Sequence, residues 1–227
     1  MNRPLSRLTP WRWEIRERTL LVHFDSRFRT LGWAPLGGGF ARARAVANHQ
    51  VGKDDRAAVE APRRHLSRAL ETLGIDPRDA VAMMTAAKVQ RAAYASARRN
   101  GLAAGAWCTA GCTNALRVGD RATFLHAAPG TINLVVAVNE PMEDAAMAEE
   151  IQIATEARVL AVQGAGIAST RSGAPATGTG TDCIVIAAPP GNSIRYCGKH
   201  TLVGELIGRA VITSCSRALA RERLERD

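Results

Sequence analysis

Four short segments combine small residues with hydroxyl, amide or carboxylate side chains, and each lies where an apolar run begins or ends. They are residues 83–87, 108–114, 129–133 and 176–182. Strand ends in open α/β sheets are the usual place for a ligand crevice. Glycine there lets backbone N–H groups approach a ligand, and threonine, asparagine and aspartate add directed hydrogen bonds. The segments predict a small-molecule site, although a plain turn explains residues 176–182 equally well.

The glycine-rich stretch at residues 176–182 differs from the two common nucleotide-binding patterns. It lacks the Gly-Lys-Ser/Thr ending that precedes a helix in a phosphate-binding loop. Its glycines precede an apolar run at residues 183–188, whereas the dinucleotide fingerprint follows a strand. A nucleotide cofactor is therefore not indicated.

The cysteines and histidines show no spacing typical of a metal site. Cys108 and Cys112 are four positions apart, unlike the two-residue gap of zinc knuckles and redox pairs. An odd count of five cysteines at irregular spacing is not a disulfide framework either. Buried free thiols are the simpler interpretation, and we expect no metal.

A second candidate lies at the predicted start of the last helix, where Gly198 precedes His200 and Glu205 follows. Five residues along a helix correspond to about 140° of rotation, so His200 and Glu205 do not form a metal pair. His200 remains a candidate general acid or base. A surface or capping histidine is the alternative.

Hydrophobic patterning predicts the elements that must position these residues. The first third is rich in strands, with alternating or β-branched runs at residues 11–16, 19–24 and 28–33. After residue 58, helices alternate with buried strands, and the helices are expected over 58–73, 143–163 and 201–223. Strands are expected over 80–87, 103–109, 132–138 and 183–188, of which 132–138 is the clearest, and residues 89–100 fit either a helix or a strand. We expect one α/β or α+β domain over residues 1–227. Its mixed sheet has antiparallel N-terminal strands, helices cover it, and a long helix ends it.

Charge is distributed unevenly along a chain of 227 residues with a net charge of +9. Residues 1–100 carry 19 lysines and arginines against 9 acidic residues, and the remainder carries 11 against 12. This excess would suit an anionic partner, but no basic run or nucleic-acid motif accompanies it, so we expect no nucleic-acid partner. No apolar stretch is long enough to span a membrane, and residues 1–18 lack a signal-peptide core. A cytoplasmic location is expected.

Taken together and in order, the motifs resemble the adenosylcobinamide amidohydrolase (CbiZ) family. The matching pieces are residues 83–87, 109–114, 129–134, 155–157, 176–182 and 200–208, with glycines 37–39 and Asn48 nearer the N-terminus. The resemblance extends from about residue 20 to about residue 215, and no single motif carries it.

The resemblance implies an activity. The family cuts the amide between a propionyl side chain of the corrin ring and aminopropanol, which converts adenosylcobinamide into adenosylcobyric acid for cobamide salvage and coenzyme B12 synthesis. The corrinoid is then the substrate, and no separate cofactor is expected. The alternative is a module that binds a corrinoid without cleaving it.

Residue types suggest roles within the site that the resemblance locates. Amide hydrolysis needs a nucleophile, oxyanion donors and an acid for the departing amine. We expect Asp182, His200 and Glu205 to be the acid–base set. The backbone N–H groups of Gly178 and Gly180 would hold the oxyanion, and Thr179 or Thr181 would act as nucleophile or contact the ligand.

Amide side chains on the corrin require both donors and acceptors. The residues expected to bind them are Thr85, Asn114, Asn133 and Glu156. A strand-end turn is the alternative for Asn133, and a helix-surface charge is the alternative for Glu156. Cys112 and Cys197 also lie inside motifs, so a thiol nucleophile is an alternative, although neither motif demands a cysteine. The nucleophile, any metal dependence, the preferred corrinoid and the oligomeric state stay open.

Overall fold

Strands and helices alternate along the chain, whose computed structural model describes residues 9–52, 54–122 and 130–224. The strands are β1 (Trp11–Arg16), β2 (Thr19–Gly32), β3 (Gly39–Gln50), β4 (Ala80–Thr85), β5 (Ala93–Arg99), β6 (Leu102–Thr109), β7 (Ala115–Leu116), β8 (Asn133–Val138), β9 (Gly178–Thr179) and β10 (Cys183–Ala188). The helices are α1 (Arg56–Glu60), α2 (Pro62–Thr72), α3 (Asp144–Gly164) and α4 (Leu202–Arg223).

Eight strands form one mixed sheet in the order β4-β3-β2-β10-β8-β6-β5, with β1 paired to β2. The pairs β3–β4 and β8–β10 are parallel, and the other pairs of this sheet are antiparallel. The expected mixed sheet with antiparallel N-terminal strands is confirmed. A separate small ribbon joins β7 to β9.

The sheet folds back on itself within β2. The register of β2 against β3 shifts between His23 and Phe28, and such bulges bend a strand. As a result Met83 of β4 shares an apolar cluster with Trp107 of β6 and Val135 of β8, although β4 and β6 lie far apart in the strand order. The two halves of the sheet therefore face each other across an inner core.

Helices cover the outer face of each half. In β8 the side chains of Leu134 and Val136 pack under α3 and α4, whereas Val135 points into the inner core. On the other half, Leu66 and Leu70 of α2 pack against β2, β3 and β4. The order of layers is helix, sheet, sheet, helix, which matches the period-two alternation of the buried strands.

The long C-terminal helix forms as its sequence predicts. The Thr201 hydroxyl accepts a hydrogen bond from the backbone N–H of Gly204 at 3.1 Å, which caps the N-terminus of α4. Arg221 and Arg223 in the last turn suit the negative end of the helix dipole.

Two local expectations were wrong, and one strand was not predicted. The helix expected over residues 58–73 is two helices, because Ala61 precedes Pro62 and adopts φ −136°, outside the helical region. The runs at 19–24 and 28–33 are one bent strand, β2. Strand β3 was not predicted, although its small residues and arginines alternate from Phe40 onward.

Candidate functional site

A cavity of about 1270 Å³ opens at one end of the folded sheet. One wall is the end of β4 at Met84 and Thr85 together with residues 51, 52, 54–56, 59 and 60. The opposite wall comprises Gly130, Thr131 and residues 181–183, and Trp33 lies at the rim. Three of the predicted segments, 83–87, 129–133 and 176–182, thus contribute residues to one cavity, as the strand-end argument predicts.

A buried amide network lies behind the cavity wall and ties the two halves of the sheet together. The Asn48 side chain of β3 donates to the Thr109 hydroxyl of β6 at 2.8 Å. The Asn133 side-chain nitrogen donates to the Asn48 side-chain oxygen at 2.9 Å and to the Met84 carbonyl at 2.7 Å. Asn133 was predicted to bind the ligand; the structure places it one layer behind Met84, where it fixes the wall.

Two threonine hydroxyls face the cavity side by side. The Oγ1 atoms of Thr131 and Thr181 are 2.8 Å apart, and the Thr181 hydroxyl donates to the Gly130 carbonyl at 3.0 Å. A hydroxyl has one proton, so the Thr131 hydroxyl is the donor of the pair. The resulting chain from Thr131 through Thr181 to Gly130 leaves the Thr131 oxygen free to accept another bond.

Asp182 organises the segment that carries Thr181. Its carboxylate accepts hydrogen bonds from the backbone N–H of Ile132 at 2.9 Å and from the backbone N–H of Thr179 at 2.9 Å, and also from the Thr179 hydroxyl. Arg158 of α3 forms an ion pair with it at 2.9 Å, and both side chains are almost fully buried. These bonds hold the carboxylate in place, so Asp182 positions its neighbours.

Residues 178–180 of the glycine-rich stretch support this carboxylate and do not line the cavity. A Cβ at Gly178 would lie 2.1 Å from the Asp182 carboxylate, so only glycine fits there. The backbone N–H of Thr179 is already bonded to Asp182. Gly180 is exposed. The expected oxyanion donors Gly178 and Gly180 therefore lie outside the cavity lining, and so does Thr179.

Glu205 is remote from Asp182. It pairs with Arg99 at 2.7 Å and with Arg209 at 3.3 Å. Arg99 is the last residue of β5 and pairs with the first residue of β6. Asp182 bonds to the backbone of Ile132, just before β8, and β8 begins opposite the last residue of β6. Glu205 and Asp182 therefore lie at opposite ends of β6. Seven residue steps along β6 span about 23 Å.

His200 precedes the start of α4 and is exposed, with its ring against Gly198. Since His200 and Glu205 both lie at the N-terminal end of α4, the structure does not bring them to Asp182. The expected acid–base set of Asp182, His200 and Glu205 is not assembled.

Glu156 also lies outside the cavity. It is on the surface of α3, where Lys199 donates to it at 2.7 Å and Gln152 donates at 3.0 Å. The hydrogen bond from Lys199, which has the larger effect, and the one from Gln152 lower the pKa of the Glu156 carboxyl. The helix-surface interpretation of this residue fits the structure.

Of the other predicted binding residues, Thr85 lines the cavity, and its hydroxyl accepts from the backbone N–H of Ala87 at 3.0 Å. Asn114 is buried against Gly130, and its two polar side-chain atoms have no hydrogen-bond partner among the described residues. A Cβ at Gly130 would lie 2.4 Å from the Asn114 oxygen, so glycine allows this approach.

The cysteines are reduced and buried. Burial raises the pKa of the Cys197 thiol, with Glu150 and Glu149 adding to the shift. Burial also raises the pKa of Cys183, which lines the cavity, to about 12. Because the thiolate is the nucleophilic form, neither residue is suited to attack.

Sequence reasoning missed several residues that build the site. Asn48 was matched to a motif without a role, and Thr109, Thr131 and Trp33 were given none. The inward positions of β3 and β6 would have indicated Asn48 and Thr109, since polar residues there interrupt an apolar face.

Within the described residues, no group of three His, Cys, Asp or Glu side chains is arranged to hold a metal. In the same part of the chain, no helix is sufficiently long and apolar to cross a membrane.

Solved structures resemble the chain only loosely. The PH0078 protein of Pyrococcus horikoshii OT3 aligns with 95% of this chain and 83% of its own, at a TM-score of 0.45 and 10% identity. The L-aminopeptidase D-Ala-esterase/amidase of Ochrobactrum anthropi gives 0.42 and 11% over the same shares.

Sequence comparison is more informative. The profile of the adenosylcobinamide amidohydrolase family matches residues 6–226. An uncharacterised protein of Methanocaldococcus jannaschii is 30% identical over 90% of this chain and 87% of its own length. A Halobacterium salinarum protein named adenosylcobinamide amidohydrolase is 28% identical over 85% of this chain and 80% of its own. Because the profile match spans nearly the whole chain, this protein belongs to the adenosylcobinamide amidohydrolase family.

Proposed function

We propose that the protein hydrolyses the amide bond between the corrin propionyl side chain and aminopropanol in adenosylcobinamide. The products are adenosylcobyric acid and free aminopropanol, and the reaction returns a salvaged corrinoid to coenzyme B12 synthesis. Family membership supports amide hydrolysis as the reaction class. The observation that carries the proposal is the large cavity in which the paired hydroxyls of Thr131 and Thr181 lie.

The size of the cavity suits a substrate that carries both a macrocycle and a nucleoside. Pockets for drug-sized ligands enclose roughly 300–1,000 Å³, and this cavity encloses about 1270 Å³. Trp33 is 50% exposed and Val59 is 67% exposed, and both line the cavity. Their apolar surfaces can cover one face of a planar ring.

The rim charge also suits this substrate. Asp54, Asp55 and Glu60 line the cavity near Arg56. Cobalt(III) bound by a monoanionic corrin and an anionic adenosyl carbon leaves one positive charge on the substrate. An acidic rim therefore favours its approach, even though the chain as a whole is basic.

The polar residues of the cavity wall would form the hydrogen bonds to the corrin amides. The Thr85 hydroxyl lines the cavity and has a proton to donate, and the Thr131 oxygen can accept. Asn114 and Asn133 lie behind the wall, and each has a buried side-chain oxygen without a hydrogen-bond partner among the described residues. A substrate amide that reached either oxygen would complete its bonding.

The attacking oxygen belongs either to a water held by the Thr131–Thr181 pair or to one of the two hydroxyls. In both cases the pair positions the nucleophile, and the Asp182 carboxylate keeps Thr181 in place through the segment 179–182. Asp182 is thus a positioning residue in this proposal.

The proposal is tested by incubating purified protein with adenosylcobinamide and following adenosylcobyric acid by mass spectrometry. We expect the wild type to form product and Thr131→Ala to lose most turnover. Thr213→Ala is the matched control, since the Thr213 hydroxyl donates within α4 to the Arg209 carbonyl at 2.8 Å and does not line the cavity. Failure of the wild type to form product, with and without added divalent metal, would refute the proposed reaction.

A second candidate is a corrinoid-binding module without catalysis. The observation in its favour is that Asp182, His200 and Glu205 do not meet. This candidate predicts that a coloured corrinoid binds in stoichiometric amount and is recovered uncleaved after prolonged incubation. Release of aminopropanol from the bound corrinoid would exclude it.

A further inference from the structure

A second cavity of about 370 Å³ lies between α2 and the outer side of β2 and β3. Thr19 and His49 line it from the sheet, and Arg64, His65 and Arg68 line it from the helix. Helix α1 separates it from the larger cavity: Ala57 and Ala61 line this one, whereas Val59 and Glu60 line the other. The proposed hydrolysis uses none of the residues that line this smaller cavity.

Two arginines present unused donors to this cavity. Arg64 and Arg68 are four positions apart on α2, so their side chains lie on one face of the helix. Within the described part of the chain, no hydrogen bond or ion pair engages either guanidinium group. Like charges at this spacing destabilise a helix, and an anion between them removes that cost. Glu17 is the single acidic residue of the lining.

Two histidines complete a polar wall. The rings of His49 and His65 have centroids 5.5 Å apart. His49 uses Nδ1 in a hydrogen bond with the Thr19 hydroxyl at 2.8 Å, which leaves Nε2 for a ligand. Burial lowers the pKa of His49, and the charges of His65 and Arg18 add to that effect. The Thr19 hydroxyl also lies within 3.4 Å of the Glu17 carbonyl, a longer contact than the one to His49. In the tautomer in which this hydroxyl donates to Nδ1, a neutral His49 ring has N–H at Nε2 and donates it to an anion without a second positive charge.

We propose that this cavity binds a phosphate group, either as inorganic phosphate or as a small phosphate monoester. Arg64 and Arg68 would each donate to phosphate oxygens, since guanidinium groups match that geometry. His49 adds a donor from the sheet side, and His65 lines the cavity from the helix. The volume accommodates the phosphate with a small organic group attached. This site is separate from the corrinoid cavity, so it does not depend on the hydrolysis proposed above.

The test is calorimetric titration of the full-length protein with inorganic phosphate at neutral pH and constant ionic strength. We expect saturable binding that weakens about tenfold or more in Arg64→Ala/Arg68→Ala, because charge-assisted hydrogen bonds are lost. Alanine favours the helix, so α2 keeps its fold, which circular dichroism checks. Arg63→Ala is the matched control: Arg63 is exposed on the same helix and does not line the cavity.

The source of the phosphate is decided by a parallel titration with ribose 5-phosphate. Tighter binding of the ester, lost in the same double variant, identifies an organic phosphate as the ligand class. Equal or tighter binding of inorganic phosphate identifies the free ion. The proposal is overturned if neither titrant gives saturable heat, or if the control variant weakens binding as much as the double variant.

Discussion

Asp182 shows how one carboxylate can hold a site together. It accepts two backbone N–H groups and a hydroxyl, and it neutralises Arg158, whose side chain is 11% exposed. Removing its charge leaves the guanidinium buried without a counter-ion, which is among the most costly single changes in a protein.

We therefore expect Asp182→Asn to lower the free energy of unfolding by about 3 kcal/mol. Urea denaturation measures this. Arg158→Met/Asp182→Asn should recover part of the loss, because the unpaired charge is gone. A loss of turnover at wild-type stability would instead show that the carboxylate takes part in the reaction.

His200 and Glu205 lie outside the cavity and can be compared with Asp182, which lines it. His200 is exposed, and Glu205 is bonded to Arg99 and Arg209, away from the cavity. We expect His200→Ala and Glu205→Gln to keep turnover near the wild-type rate. A severe loss of kcat in either variant, with unchanged stability, would contradict the placement of the active site in the cavity lined by Thr131 and Thr181.

Glu150 is a buried titratable group that the site does not use. It is fully buried in α3, and neither carboxylate oxygen has a hydrogen-bond partner among the described residues. Burial raises the pKa of Glu150 well above its ordinary value of 4.5. The folded state therefore keeps a proton that the unfolded chain releases.

Protonation of Glu150 contributes fully to the free energy of unfolding below the pKa of the unfolded chain. This contribution is lost as pH rises toward the higher pKa of the folded state. We expect Glu150→Gln to become more stable relative to the wild type between about pH 4 and pH 8. Urea unfolding across that range measures the difference. A constant difference would mean that the folded and unfolded pKa values are the same.

At the scale of elements, small residues decide how closely segments approach. A Cβ at Gly178 in β9 would meet the Asp182 carboxylate at 2.1 Å, whereas a Cβ at Gly164, the last residue of α3, would meet nothing within 4 Å. The same substitution to alanine can therefore be compared at a crowded position, Gly178, and at an open one, Gly164.

We expect Gly178→Ala to destabilise the protein by about 2 kcal/mol or more, since overpacking displaces the carboxylate and its partners. Gly164→Ala should be neutral or stabilising by up to about 1 kcal/mol through helix propensity. Thermal unfolding of both variants tests the pair. Equal effects would show that Asp182 has room to move.

The whole molecule depends on closure of the bent sheet around its inner core. Asn48 connects the two halves, because it bonds Thr109 of β6 and Asn133 of β8 at once. Each of these amides loses its partner when the other is removed, so their contributions are coupled.

A double-mutant cycle tests this closure. Asn48→Ala and Asn133→Ala should each cost about 1–3 kcal/mol, because a buried partner is left unsatisfied. The double variant should cost less than the sum by at least about 0.5 kcal/mol. Additive losses would indicate that the two amides do not share a network.

Much of the architecture could be predicted from sequence, because it depends on local patterns. The apolar runs of β8 and β10 and the capped, basic-ended α4 are visible as sequence, and the mixed sheet with helical cover follows from their order. The motifs also indicated the family, which the profile match confirms. The bend in β2 was not predictable, since it depends on a register shift against β3.

The composition of the site was decided by tertiary structure. Sequence placed Asp182, His200 and Glu205 in motifs, but motif membership does not give distance. Glu205 in the first turn of α4 lies at the far end of β6, and His200 directly precedes that helix. The Asn48–Asn133 bond joins residues 85 positions apart. Side-chain chemistry and strand patterns are local properties that a sequence determines by itself. Which polar side chains meet depends on how the sheet folds over, and only the packing of its two halves decides that.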